Sequence, residues 1–130
     1  MIPVIGINSS SAPFMSDIGR RSKTLETRNK RTLHRFIGCR VILAETKQGG
    51  YLAMYTAVIR SVHEIRSREQ WDALRPLHRV PAGSTYDWTP ETSIKYAYEI
   101  ANLRHLRPFR IQEGKRHGRV WMEYNGRKSA

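Results

Sequence analysis

Hydrophobic positions along this chain fall in short blocks, several of them β-branched or aromatic, and one of them alternates with polar residues at a period of two. Residues 2–7, Ile-Pro-Val-Ile-Gly-Ile, make a β-rich opening run in which Pro3 is tolerated near the start. Asn8 and the three serines after it are N-cap candidates ahead of Pro13, which suits a first helical turn. The helix is expected to reach about Arg21, with Phe14 and Ile18 four apart on the core face and Arg20 and Arg21 complementing the C-terminal dipole. In residues 23–28, Thr24, Glu26 and Arg28 alternate with Leu25 and Thr27, the pattern of a strand. Residues 29–36 then read as a short basic helical turn presenting Lys30, Arg31, His34 and Arg35.

An apolar strand is predicted over 39–45, closed by the turn Lys47-Gln48-Gly49-Gly50 and paired with a long β-branched and aromatic run over 51–65. Ser67 and Gln70 have the spacing of a capping box that opens a helix over 67–74. Residues 75–90 have no periodicity and contain three prolines, so they read as a long loop of the functional or mobile kind. Closing strands are expected over 96–102, 106–111 and 119–124, followed by a polar tail over 125–130. Several short strands with two or three helices predict an α+β fold, a small mixed barrel, formed by one domain over residues 1–124.

Charge changes this picture. Twenty-three lysines and arginines against eleven acids give the 130-residue chain a net charge of +12, which favours a polyanionic partner, most commonly nucleic acid. The single cysteine, Cys39, excludes an intramolecular disulfide and points to a reducing compartment. Inside the apolar run 37–43 it is expected to be a small buried core residue. No window approaches the roughly 20 apolar residues of a membrane span, and no basic segment leads into a long apolar one. A cytoplasmic protein without membrane association is expected. The five histidines have no metal-ligand spacing, and no P-loop, dinucleotide fingerprint or triad order occurs, so no metal or cofactor is expected.

The chemistry concentrates in residues 23–28. Glu26 and Arg28 share one face of the strand, and Lys23, at its entrance, can swing towards them. A carboxylate between two cations stays ionised and fixes both, an arrangement suited to an anionic or hydrogen-bonding ligand as well as to a surface ion pair. Tyr86 and Trp88, in the unpatterned loop, are candidates for a lid over a flipped base, whereas Tyr98 and Trp121 are expected to pack in the barrel.

Lys23, Glu26 and Arg28 match the Lys, Glu and Arg of Gly-x-Lys-x-x-Glu-x-Arg, the hallmark of the ASCH domains of the PUA-like superfamily, which this chain resembles. The similarity extends to Gly38-x-x-Val41, to Tyr96-x-Tyr98 through Leu106-x-Pro108, and to Gly118-x-x-Trp121. Arg21 stands where the family has glycine. The resemblance implies a PUA-like β pseudo-barrel of about six strands with two to three helices around it. It implies a cleft beside the first helix, lined by the motif, that binds RNA, a nucleotide or a modified nucleobase, single-stranded nucleic acid included. Lys23, Glu26, Arg28, Arg21, Tyr86 and Trp88 are the ligand-binding candidates. An alternative is a hydrolase of the ribonuclease or nucleoside amidohydrolase type. Lys23 would then transfer the proton, with Glu26 and a hydroxyl of Thr24, Ser84 or Thr85 beside it. In the amidohydrolase branch a nucleophilic threonine stands where this chain has Glu26, so that acyl-transfer chemistry does not carry over. A second alternative is a regulatory domain whose basic surface binds an acidic protein.

Overall fold

The structure, a computed structural model, describes residues 2–112 and 121–124. The basic run 115–119, His117, Gly118, the start of the last predicted strand and the polar tail 125–130 lie outside the described residues. Six strands form one mixed sheet: β1 (Ile2–Ile7), β2 (Leu25–Arg28), β3 (Arg40–Lys47), β4 (Gly50–Ile65), β5 (Lys95–Gln112) and β6 (Trp121–Tyr124), in the order β2-β5-β4-β3-β1-β6. The pair β1–β3 is parallel and every other pair is antiparallel. The sheet curls into an α+β pseudo-barrel of the PUA-like kind. Three short helices pack on it: α1 (Phe14–Gly19), α2 (Arg68–Ala73) and α3 (Arg75–His78).

The curl follows from irregular pairing. Across β3, Leu43 faces Tyr55 while the next residue, Ala44, faces Ala53, so Met54 is an extra residue in β4. Ala53 and Tyr55, two apart and expected on one face, consequently join different apolar clusters. The larger cluster lies between α1, α2 and the sheet and includes Ile5, Ile7, Leu25, Ile59, Trp71 and Tyr98. The smaller one gathers Val4, Ile42, Ala44, Tyr51, Ala53 and Ile111.

Several expectations change. The closing strands over 96–102 and 106–111 are one strand, β5, interrupted opposite β4, and Pro108 falls within one interruption, where its missing N–H costs no ladder bond. The region 75–90 begins with α3, whose Pro76 sits in the first turn. The basic turn of 29–36 shrinks to a 3-10 turn at His34–Phe36. Cys39 is exposed rather than buried, because Gly38 takes φ 87° and breaks the alternation before β3 starts at Arg40.

Candidate functional site

The geometry of the site begins where α1 stops. The N–H of Arg21 donates to the Ile18 carbonyl at 2.9 Å and that of Ser22 to the Asp17 carbonyl at 2.9 Å, the two bonds of a Schellman closure. The residue turning the chain there is Arg21, at φ 62°. This is the left-handed conformation that glycine adopts without cost, and here an arginine holds it under strain. Arg21 itself is exposed.

The turn carries Lys23 inward, where the residue is 2% exposed. Its ammonium donates to the carbonyls of Leu25 at 2.7 Å and His78 at 2.6 Å, lies 3.6 Å from Glu26 Oε1, and sits 4.8 Å from the centre of the Phe14 ring. Burial pushes its pKa down, and the Glu26 carboxylate opposes that shift. Two carbonyl bonds and the nearby carboxylate engage the amine, so Lys23 ties β2 to the end of α3 and orients Glu26.

Glu26 and Arg28, two apart in β2, share a face as their spacing requires. Arg28 Nη2 lies 2.9 Å from Glu26 Oε2 and donates to the Gly6 carbonyl at 3.2 Å. Two buried polar atoms nearby, Arg28 Nε and Thr32 Oγ1, have no partner among the described residues. Both residues line a cleft of about 740 Å³, together with Lys23, Glu26, Phe14 and Tyr86. Its volume lies within the range of small-molecule sites.

Asp87 anchors the opposite wall. Its buried carboxylate accepts from Trp71 Nε1 at 2.6 Å, from Arg75 Nη2 at 3.1 Å and from the Gly83 N–H at 2.7 Å. Burial pushes the pKa up, but these donors, with the Trp88 N–H, hold the group ionised well below the usual carboxylate range. Tyr86, 37% exposed, is thereby set edge-on to Phe14, with ring centres 6.3 Å apart. His78 stacks on Trp71 at 3.9 Å, its Nε2–H donating to the Trp71 carbonyl and its Nδ1 accepting from the Val80 N–H. Burial, foremost, and then the Lys23 charge bring its pKa down to about 4, against the Trp71 carbonyl bond, which favours the charged ring.

Lys95 and Thr32 escape sequence reasoning. Lys95 is 4% exposed and lines the cleft. Its ammonium donates to Asn29 Oδ1 at 2.7 Å and the Tyr86 carbonyl at 3.0 Å and lies 5.0 Å from the Trp71 ring centre. Burial lowers its pKa, with Asp87 opposing. The only signal was a lysine set directly against Tyr96-Ala97-Tyr98, all three of which are buried.

Of the residues singled out from sequence, Lys23, Glu26, Arg28 and Tyr86 line one cleft, whereas Arg21, Thr24 and Trp88 do not. Thr24 is held by its backbone between Leu77 and Ile100, and Trp88 packs against the core beside Trp71. Thr85 lies on a separate, smaller hollow, and the hydroxyl of Ser84 is buried without a partner among the described residues. Tyr98 is a packing residue, its hydroxyl 2.6 Å from His34 Nδ1. Among the described residues, no group of three or more His, Cys, Asp or Glu is placed to hold a metal, and no helix is long and apolar enough to cross a membrane.

The chain is similar in structure to the ASCH protein of Zymomonas mobilis, at a TM-score of 0.66 and 17% identity, covering 82% of this chain and 71% of that one. Two single-residue variants of the same protein match as well. One gives a TM-score of 0.73 at 15% identity over 95% of this chain and 88% of that one. The other gives 0.65 at 17% over 82% and 73%. At these identities the likeness is one of fold. No family model and no curated protein matches the sequence.

Proposed function

We propose that this protein binds RNA, taking one nucleotide or modified nucleobase into the cleft beside α1, with Glu26, Arg28 and Thr32 facing it. The observation carrying this reading is the pairing of a fixed carboxylate with two unsatisfied buried donors on one cleft wall. A phosphate would be repelled by Glu26, whereas the mixed donor–acceptor edge of a base can meet Glu26 and Arg28 Nε together. Tyr86, at the rim, offers a face on which that base can stack. The likeness in fold to the ASCH protein, with the RNA binding that the sequence resemblance to ASCH domains implies, and the net charge of +12 support the same reading. Lys23 serves as the residue that positions Glu26. Proton transfer through Lys23, as a hydrolase would require, is less supported. Its amine is already engaged with two carbonyls and a carboxylate, and the Thr24 hydroxyl candidate lies off the cleft.

The test is single-stranded RNA binding measured against salt, with Arg28→Ala and Glu26→Gln compared with the wild type. Phosphate contacts make log K fall linearly with log salt, and each variant should weaken binding about tenfold or more, the loss of a charge-assisted hydrogen bond. Wild-type affinity for RNA that is absent at low salt, or unchanged in both variants, overturns the proposal. Turnover of RNA or an acylated nucleoside that disappears in Lys23→Ala would favour the hydrolase instead.

A further inference from the structure

We propose that Lys95 is an anion-binding subsite, and that the natural ligand is an oligonucleotide whose phosphodiester bridges two adjoining hollows at this residue. The inference rests on the nucleobase reading of the cleft and extends it from a single nucleotide to a strand.

Three observations carry it. Lys95 is nearly fully buried, yet both protein acceptors of its ammonium are neutral, the Asn29 amide and the Tyr86 carbonyl, and among the described residues no carboxylate lies within 4 Å of it. Asp87, the nearest acid to influence it, is already committed to Trp71, Arg75 and Gly83. A buried cation without a counter-ion is costly, and an incoming anion would remove that cost. The second observation is topological. Beyond the large cleft lies a second hollow of about 310 Å³, and Asn29 and Lys95 line both. The third is chemical: the second hollow is polar and rich in hydroxyls, Thr85, Thr89, Thr92 and Ser93 among them. Such a wall suits a ribose or the edge of a neighbouring base. A strand with one base against Glu26 and Arg28 would therefore lay its next phosphodiester at the shared wall and its next sugar in the second hollow.

The experiment measures, by calorimetry, binding of the four ribonucleosides, their 5′- and 3′-monophosphates, the matching dinucleoside monophosphates and inorganic phosphate. The proteins are the wild type, Lys95→Met and Ser93→Trp. Ser93 is exposed, so the second variant fills the hollow without disturbing the core. The expected result is a dinucleoside monophosphate bound at least about tenfold more tightly than its nucleoside, as one charge-assisted contact provides. That ratio should fall to near one in Lys95→Met and drop severalfold in Ser93→Trp. Equal affinity for nucleoside and dinucleoside monophosphate overturns this inference while leaving the nucleobase cleft standing. A monophosphate that matches the dinucleoside, with Ser93→Trp silent, overturns the bridging strand. Failure of every nucleoside and dinucleoside to bind removes both readings together.

Discussion

Replacing Arg21 by glycine should stabilise the protein, although it removes a charge and adds no contact. Arg21 closes α1 at φ 62°, with its N–H and that of Ser22 each bonded at 2.9 Å to carbonyls of the last turn. A residue with a Cβ pays about 1–2 kcal/mol in that conformation. Glycine pays none, but its freer unfolded chain takes back about 0.5–1 kcal/mol. The net gain is about 0.5–1 kcal/mol, or roughly 3 °C in Tm for a domain of this size. Urea denaturation should show a raised midpoint at unchanged slope. Arg21→Ala is the control, because it removes the same charge and keeps the Cβ, so it should show no such gain. If Arg21→Gly proves no more stable than Arg21→Ala, the left-handed turn that carries Lys23 inward is refuted. Because Arg21 lies off the cleft, the glycine variant should leave the proposed RNA binding unchanged apart from a small long-range charge effect.

Two further outcomes follow from the geometry. His78 has an ordinary pKa of 6.5 and a folded value of about 4, so the unfolded chain binds the extra proton between those values. Its contribution to stability is complete above pH 6.5 and is lost as pH falls towards 4, by about 3 kcal/mol in all; denaturation midpoints flat across that window would contradict a buried neutral ring. A methyl added at Gly19 would run into the hydroxyl of Tyr55, so Gly19→Ala should cost about 1–3 kcal/mol, and Tyr55→Phe in the same chain should recover part of it in a double-mutant cycle.

The strands and the carboxylate–cation trio were legible because both are local. The β-branched and aromatic runs of residues 2–7 and 51–65 mark β1 and β4, and the two-residue spacing of Glu26 and Arg28 alone puts them on one face. What escaped is set by distant partners. Lys95 becomes a cleft residue only because β5 passes beside Asn29 and the Asp87 loop, and Thr32 only because 29–32 folds over the same hollow. The irregularities of β4 and β5 hid the continuity of residues 95–112, since Asn102, at φ 51°, and Pro108 read as breakers in a local window. Cys39 was misjudged for a related reason: composition suggested an unbroken apolar strand, and one left-handed glycine cancelled it.

Among the described residues, the segment bearing Glu26 and Arg28 has a single strand neighbour, β5, with Leu25 opposite Glu99 and Arg28 opposite Tyr96. During synthesis that neighbour leaves the ribosome long after the motif does, so the nascent chain first carries Glu26 and Arg28 without the strand that pairs with theirs. Ligand affinity should therefore emerge late and abruptly as the polypeptide lengthens. A nucleic acid met earlier would find only loose positive charge.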